Sequence, residues 1–198
     1  MTGPELSDRA AHWPVTASRD IHRDDWVVAL REDMVHRPGH EDEDGFPRLV
    51  VEHPGAVMAL AVDEDERVCL LRQYRHAAQR VFVEIPAGIC DEAGEDPLET
   101  ARRELREEVE LEAADWRHLL TLYPAAGVGA EVHHLFLARR LRHAGRGDFE
   151  MEHEEAEMEV FWAPMDRLLD AVLAGHTQQG PLAVAVLAYD ALKRRGRL

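Results

Sequence analysis

Short runs of apolar residues, separated by polar turns, dominate the middle of the chain. Leu49–His53, Ala56–Val62 and Arg67–Tyr74 are rich in Val, Leu and Ala, and the polar segment Asp63–Glu66 has the composition of a turn. We therefore predict three successive β-strands here. Further strands are predicted on the same grounds at Trp26–Leu30, Val81–Ile85, Leu119–Tyr123, His133–Ala138 and Glu159–Trp162.

Three later segments have the patterning of helices. The first is predicted to start at Asp96, because Asp caps helices, Pro97 suits the first helical position and Glu99 has the spacing of a capping-box partner. Two more helices are predicted at about Pro164–Ala174 and Pro181–Arg194. At about 100° per residue, the apolar side chains of the first helix form one narrow stripe, its predicted buried face: Leu98, Ala101, Leu105 and Val109.

The order of these elements predicts the fold class. Strands precede, separate and follow the helices, which favours an α+β fold with a mixed sheet and helices packed on it. A change of character near residue 50 predicts a small N-terminal β-subdomain, residues 1–50, before a main body of residues 51–198. Residues 1–24 are polar and are expected to begin without regular structure. The acidic segment His40–Gly45 is predicted to be a solvated hairpin connection.

The charge of the chain excludes one class of partner. Among 198 residues there are 39 Asp and Glu against 23 Lys and Arg, a formal charge of −16. A protein that holds nucleic acid through a broad basic face needs clustered Lys and Arg, so we expect no nucleic-acid partner. The apolar stretches are far shorter than the ~20 residues of a membrane span, so no membrane partner is expected either.

Cysteine and histidine give no metal or redox signature. Cys69 and Cys90 lack such spacing, and without a disulfide framework or a leading apolar run we expect a cytoplasmic location. His133 and His134 are adjacent on a predicted strand, so their side chains point to opposite faces and do not readily share an ion. The histidines are therefore interpreted as surface or packing residues.

The first helix carries acid on one face. Glu104, Glu107 and Glu108 fall together there, although like charges three and four residues apart cost a few tenths of a kcal/mol each. Carboxylates directed at one point form a site for a hard divalent cation, which prefers oxygen ligands. The spacing alone leaves two readings open, a metal site and an ordinary solvated face. Three arginines lie around the other flank: Arg102, Arg103 and Arg106.

A wider pattern around this helix resembles the Nudix box, G-x5-E-x7-R-E-U-x-E-E-x-G-U, in which U is an aliphatic residue. Gly88, Glu95 and the segment Arg103–Glu108 match it, and Leu111 fits the final aliphatic position. Six residues instead of five separate Gly88 from Glu95. Glu110 stands at the glycine of the box, where a turn with positive φ is expected, so we predict an altered helix exit with the carboxylates retained.

The segments flanking the box resemble the ADP-ribose pyrophosphatase branch of that family, over about residues 20–195. They are Arg72–His76, Glu84–Gly88 and the Glu-rich loop Glu152–Met158. The resemblance implies the Nudix fold, an α/β/α sandwich with a mixed sheet, after an N-terminal β-subdomain. It also implies a homodimer that exchanges N-terminal strands and binds substrate between subunits. Ala126–Ala130 departs from the branch pattern Pro-Gly-Phe-Ser-Asp, which points to another nucleoside diphosphate sugar as an alternative substrate.

Site roles follow from the resemblance residue by residue. Mg²⁺, with Mn²⁺ as an alternative, would bind Glu104, Glu108 and the backbone carbonyl of Ala87, and Glu107 would reach a second ion. Glu95 and Arg103 would pair to lock the box loop against the helix. The catalytic residues would be Glu108 and a glutamate of the late loop, with Glu154 the better match and Glu155 the second. Substrate would meet three residues: Arg75, Glu84 and Glu131.

The implied activity is hydrolysis of the diphosphate of ADP-ribose, or of a related nucleoside diphosphate sugar, to a nucleoside monophosphate and a sugar phosphate. Metal ions would offset the phosphate charge and activate water, and the loop glutamate would orient or deprotonate that water. Two alternatives remain. One is a nucleoside triphosphate pyrophosphohydrolase, and the other is a Nudix domain that senses a ligand without catalysis. An acidic loop at Glu152–Met158 with no catalytic role is the competing reading of that segment.

Overall fold

The computed structural model describes residues 6–24, 28–147, 149–151 and 153–198, without the side chains of Glu154 and Glu155. Contacts divide the chain into two compact units. The first comprises the chain up to His53 together with Gly127–Ala130, and the second comprises Pro54–Ala126 and Glu131–Leu198. The division lies close to the boundary proposed at residues 50 and 51. The inclusion of Gly127–Ala130 in the first unit was not anticipated.

The first unit contains a three-stranded antiparallel sheet. Its strands are β1 (Val15–His22), β2 (Ala29–Val35) and β3 (Phe46–Glu52), in the order β1-β2-β3. The acidic segment His40–Gly45 lies in the β2–β3 connection, as predicted. Of the predicted strand Trp26–Leu30, Ala29 and Leu30 belong to β2 and Val28 does not, whereas residues 25–27 lie outside the described part of the chain.

Residues 6–14 lack regular structure, as expected, but the strand β1 that follows them was not predicted. All eight of its residues are exposed, so no alternation of buried and exposed positions marks it in the sequence. Its backbone pairs with β2 from Val15↔Val35 to His22↔Leu30. Backbone hydrogen bonding, rather than burial, defines this strand.

The second unit contains two sheets and three helices. The strands are β4 (Ala56–Ala61), β5 (Arg67–Arg75), β6 (Arg80–Glu84), β7 (Ala87–Ile89), β8 (Leu111–Leu122), β9 (His133–His143) and β10 (Glu159–Pro164). A mixed four-stranded sheet has the order β7-β4-β9-β8, with β4 and β9 parallel, and a three-stranded sheet has the order β10-β5-β6. The helices are α1 (Pro97–Val109), α2 (Met165–Leu173) and α3 (Gly180–Arg194). The predicted α+β class with a mixed sheet is confirmed.

Strands β8 and β9 are longer than the sequence predicted. β8 begins at Leu111 rather than Leu119, and β9 continues past Ala138 to His143. The additional residues 111–115 of β8 pair with the additional residues 139–143 of β9 in antiparallel register, from Leu111↔His143 to Asp115↔Arg139. They include charged side chains on both strands, which break the apolar pattern that marks the remainder of each strand.

β4 is the centre of the core, because all six of its residues are buried. Met58 and Leu60 pack in the cluster that contains α2 and α3 residues, whereas Ala59 and Ala61 pack with Leu105 and Val109 of α1. Helices therefore cover both faces of the strand, and α1 has a rigid support. None of the helices in the described part of the chain is long and apolar enough to cross a lipid bilayer.

Candidate active site

The start of α1 is set by the predicted cap. The Asp96 side chain accepts a hydrogen bond from the Leu98 N–H at 2.9 Å, and Pro97 occupies the first turn. The Glu99 side chain accepts a hydrogen bond from Arg102 at 2.6 Å, which differs from the capping-box role expected of it. Ala101, Leu105 and Val109 are buried, and Leu98 is half-buried, so the predicted stripe is the inner face of the helix.

The end of α1 has the geometry expected of the box glycine, although the residue there is glutamate. Glu110 has φ 56° and ψ 35°, in the left-handed region, and its N–H bonds to the Arg106 carbonyl at 3.0 Å. Arg146, from the segment after β9, donates to the carbonyls of Glu107 and Glu108. The predicted altered exit is therefore wrong: the helix ends at Val109 as the box glycine would end it, and the carboxylates are retained, as predicted.

Glu108 is buried, so an ordinary solvated face does not describe this residue. Only 5% of its surface is accessible, and its Oε2 accepts a hydrogen bond from the Ala87 N–H at 2.9 Å. The last turn of α1 and the start of β7 are thus joined through this carboxylate. The Ala87 backbone consequently lies beside the residue with which it was predicted to share a metal ion.

Gly88 lies directly against Glu104. A Cβ atom built at position 88 would stand 2.1 Å from the Glu104 carboxyl carbon. No side chain larger than hydrogen fits there without moving the carboxylate. The glycine of the box is therefore required by close approach, and it lets Glu104 reach the edge of β7.

Arg103 provides the positive charge of the site. Its Nη1 lies 2.9 Å from Glu104 Oε1 and 3.3 Å from Glu107 Oε2, whereas its Nη2 lies 3.8 Å from Glu95 Oε2. Burial alone would lower the pKa of Arg103, but the charges of Glu104 and Glu107 outweigh it and raise that pKa. Glu95 Oε2 in turn accepts a hydrogen bond from the buried Thr100 hydroxyl at 2.7 Å, which ties the box loop to α1.

The donor set has the chemistry that a hard divalent cation requires. Glu104, Glu107 and Glu108 supply carboxylate oxygens, and Gly88 admits the Glu104 carboxylate because it has no side chain. Within residues 6–24, 28–147, 149–151 and 153–198, however, no group of three or more His, Cys, Asp or Glu is arranged to hold a metal ion. Two of the carboxylates are instead balanced by Arg103. The carboxylates are thus ligands of the type that a divalent cation binds, and in this structure the Arg103 guanidinium lies between Glu104 and Glu107.

The predicted substrate residues form two further pairs. Arg75 binds Glu84 through two hydrogen bonds, of 3.1 and 2.7 Å, and Glu84 is only 2% exposed. Glu131 Oε1 lies 2.7 Å from Nε2 of the buried His133, which sequence reasoning had treated as a packing residue. The backbone of Glu154 and Glu155 forms the short 3-10 helix His153–Glu157, and their side chains fall outside the described structure.

A cavity of about 750 Å³ lies along the outer flank of α1, within the size range of small-molecule sites. It shares Glu95, Arg103 and Glu107 with the acidic face. Trp116 and Arg146 also line it, and sequence reasoning missed both, because no local spacing relates them to the box. The remaining lining residues are Glu99, Arg102, Arg106, Glu112, Ala113, Gly147 and Phe149.

Comparisons with known proteins agree with the fold and the box. The chain matches the NUDIX domain family over residues 52–183. An ADP-ribose pyrophosphatase of Mycobacterium tuberculosis is 42% identical over 166 residues, which cover 84% of this chain and 78% of that protein. A CMP-5'-(N-acetyl-N-hydroxy-3-aminopropyl)phosphonate hydrolase of Streptomyces rubellomurinus is 30% identical over 176 residues, 89% of this chain and 81% of that one.

A solved structure shares the fold. The crystal structure of an ADP compounds hydrolase superposes with a TM-score of 0.73 at 21% identity, over 97% of this chain and 100% of that one. The family match spans more than half of the chain and includes Gly88, Glu95 and the whole of α1. The chain therefore belongs to the Nudix family, as the box predicted.

Proposed function

We propose that this protein hydrolyses the diphosphate of ADP-ribose, or of a related nucleoside diphosphate sugar, to a nucleoside monophosphate and a sugar phosphate. The observation that carries the proposal is the seating of two box carboxylates on the β7 edge, Glu108 by the Ala87 N–H and Glu104 against Gly88. The 42% identical relative is an ADP-ribose pyrophosphatase, and the match extends over most of its length.

The proposed cofactor is Mg²⁺, with Mn²⁺ as an alternative, held by Glu104, Glu107, Glu108 and the Ala87 carbonyl. A divalent cation in such a site offsets phosphate charge and lowers the pKa of bound water. The protein contributes the positioning. Glu108 is fixed by its hydrogen bond from Ala87, and Arg103 balances the carboxylates of Glu104 and Glu107.

The attacking water needs a proton acceptor, and we assign this role to the late loop. Glu154 is the first candidate and Glu155 the second, because both belong to the 3-10 helix that follows the cavity-lining residues Arg146, Gly147 and Phe149. A carboxylate there would accept the proton as the water oxygen attacks phosphorus. Catalysis of this kind is mainly positioning and electrostatics, so a short displacement of the acceptor is costly.

Arg75, Glu84 and Glu131 are the proposed substrate contacts. The buried Glu84 binds two nitrogen atoms of Arg75 and leaves that side chain 46% exposed, which suits a guanidinium that receives an anionic or ribose group. Glu131 Oε1 lies within hydrogen-bonding distance, 2.7 Å, of Nε2 of the buried His133. Arg75 and Glu131 therefore each have a buried partner that restricts their orientation.

We further propose a cytoplasmic homodimer that associates through the N-terminal strands. The first unit exposes large apolar side chains on and beside its outer strands, namely Trp13, Val15, Ile21 and Leu49. A second copy that covers this surface would remove it from water. Both cysteines are free thiols, which suits a reducing compartment. Light scattering at micromolar concentration is expected to give twice the mass of one chain.

A substrate screen with product identification tests the proposed activity. With ADP-ribose and Mg²⁺ we expect AMP and ribose 5-phosphate, and other nucleoside diphosphate sugars are compared at the same concentration. Pyrophosphate release from nucleoside triphosphates, with ADP-ribose unchanged, would favour the triphosphate alternative. Calorimetric binding of ADP-ribose without turnover would favour a ligand-sensing domain. Either result would overturn the proposal.

A further inference from the structure

Arg146 binds the C-terminal end of α1 from a distant part of the chain. Its Nε donates to the Glu107 carbonyl, and its Nη2 donates to the Glu108 carbonyl at 3.2 Å. Its Nη1 lies 3.8 Å from the Glu110 carboxylate. The side chain is 23% exposed, so most of its surface is in contact with the helix end and its neighbours.

The bonded carbonyls belong to a helix end that has few internal partners. The last four carbonyls of an α-helix have no N–H from a following turn, and a positive charge there is favoured by the helix dipole. In α1, two of these carbonyls belong to Glu107 and Glu108, whose side chains form the acidic face. The Arg146 guanidinium, which donates to these two carbonyls, therefore restrains the backbone of the residues that carry the carboxylates.

The same segment is tied to α1 in the opposite direction as well. Arg106, in the last turn of α1, donates through Nε to the Gly145 carbonyl at 2.8 Å. The Ala144 N–H donates to the Glu110 carbonyl, also at 2.8 Å. The helix end and the segment after β9 are therefore joined by donors from both sides, which restricts rotation of the last helical turn.

Glu110 explains why this chain gains from such a connection. A non-glycine residue in the left-handed region carries a backbone cost that glycine avoids, and it adjoins the turn that presents Glu107 and Glu108. The carbonyl bonds from Arg146 oppose any loosening of that turn. Arg146, which lies outside the box, thus stabilises the helix end at which Glu110 replaces the box glycine.

We propose that Arg146 is a positioning residue for the metal-binding face, because it fixes the last turn of α1 and so the carboxylates of Glu107 and Glu108. The inference rests on the proposed function in one respect, the assignment of those carboxylates as metal ligands. Arg146 touches no reacting atom in this account. It acts through the backbone of α1.

The test measures Mn²⁺ binding by electron paramagnetic resonance without substrate, together with kcat, KM and Tm. For Arg146→Gln we expect the Mn²⁺ dissociation constant to rise about tenfold and kcat to fall about tenfold, as is common when a partner of a metal ligand is lost. The KM for ADP-ribose is expected to stay within about twofold. Arg146→Lys retains the charge but cannot reproduce the paired guanidinium bonds, so intermediate values are expected.

Arg142→Gln is the matched control. Arg142 lies near the end of β9, four residues before Arg146, is 70% exposed and pairs with Glu112 rather than with α1. Its variant is expected to bind Mn²⁺ as the wild-type protein does. An unchanged Mn²⁺ dissociation constant in Arg146→Gln would overturn the inference. If that variant does not fold, an unchanged constant in Arg146→Lys would overturn it.

The outcome is separable from that of the proposed function. A wild-type protein that binds Mn²⁺ but hydrolyses no nucleotide sugar would overturn the proposed activity, and the Mn²⁺ constants of the variants would still decide the role of Arg146. A wild-type protein that hydrolyses ADP-ribose, with Arg146→Gln equal to it in Mn²⁺ affinity and kcat, would overturn the role of Arg146 alone.

Discussion

The backbone of Gly88 and the carboxylate of Glu104 are in direct contact across the β7 edge and α1. A methyl group at position 88 would lie 2.1 Å from both the carboxyl carbon and Oε1 of Glu104. The contact joins the first residue of the Nudix box to its first metal-face glutamate. A substitution at Gly88 is therefore expected to move the Glu104 carboxylate, so its effect on catalysis can be measured separately from its effect on stability.

Gly88→Ala is expected to lower activity strongly while the protein remains folded. Gly88 has no positive φ, so alanine is compatible with the backbone, and the atoms in its way are the flexible end of one side chain. The Glu104 carboxylate must move, and we expect kcat to fall about 100-fold or more with Tm changed by less than about 3 °C. Steady-state kinetics and thermal unfolding check both values.

Gly180→Ala is the control for that substitution. Gly180 begins α3, and a Cβ atom there would meet nothing within 4 Å. Activity and Tm are both expected to remain near wild-type values. Wild-type kcat in Gly88→Ala would show that the position of the Glu104 carboxylate does not matter for turnover.

Two substitutions of Glu108 separate the effect of its charge from the effect of its hydrogen bond with the Ala87 N–H. Glu108→Gln keeps an oxygen for the Ala87 N–H but loses the charge, so we expect activity to fall at least about 100-fold with little change in unfolding free energy. Glu108→Ala also removes the acceptor, and it is expected to destabilise the protein by about 1–3 kcal/mol. Denaturant unfolding and AMP release measure the two effects. Full turnover in Glu108→Gln would argue against metal binding by this residue.

Glu110→Gly is expected to stabilise the protein. Glycine adopts the left-handed conformation of this position at low cost, and the gain is up to about 1 kcal/mol after the added freedom of the unfolded chain is subtracted. Turnover is expected to stay similar, because Arg146 still reaches the Glu107 and Glu108 carbonyls. Glu110→Ala is the matched variant, since it removes the carboxylate without relieving the backbone. A lower Tm in Glu110→Gly would assign a stabilising role to the glutamate side chain.

The lowered pKa of Glu66 predicts that the stability of the protein depends on pH. Burial alone would raise its pKa, but hydrogen bonds from Lys193, Tyr189 and Arg139 outweigh burial and lower the pKa from 4.5 to about 2. A carboxylate with a lowered folded pKa stabilises the protein above the unfolded pKa, and this contribution is lost from about pH 5 down to about pH 2.

Glu66→Gln is therefore expected to lower Tm at neutral pH by about 2–4 °C, a modest value because the side chain is 35% exposed. The difference from wild type should narrow below about pH 5 and vanish near pH 2. Glu64→Gln, at an exposed position of the same turn, serves as the control. A difference in Tm that stays constant over this pH range would show that the Glu66 charge does not supply the stability.

Local signals in the sequence were sufficient for the central elements. The cap at Asp96, the proline after it and the apolar stripe predicted α1, and runs of apolar residues predicted β4, β5, β6 and β10 to within two residues at each end. β4 and most of β5 are buried, and the half-buried Phe161 and Ala163 of β10 pack against the core, so burial selects apolar residues in these strands. β1 was missed because all of its residues are exposed, and the first half of β8 because its charged residues break the pattern.

The site was predictable only where spacing along the chain encodes it. The glutamates of α1 and the glycine that admits Glu104 are within one motif, and the sequence identified them. Burial of Glu108 depends on its packing against β7, and the spacing of residues along the chain does not predict that contact. The bonds of Arg146 to α1 join residues 38 and 39 positions apart, so they follow from the path of the β8–β9 hairpin rather than from a local pattern.

AMP release from ADP-ribose, measured for the wild-type protein and for Glu108→Gln with and without Mg²⁺, tests the central claim most directly. The account predicts AMP and ribose 5-phosphate in equal amounts from the wild-type protein with Mg²⁺, and almost none without Mg²⁺ or in the folded Glu108→Gln variant. Equal AMP release by the two proteins, or release by the wild-type protein that does not depend on Mg²⁺, would contradict it.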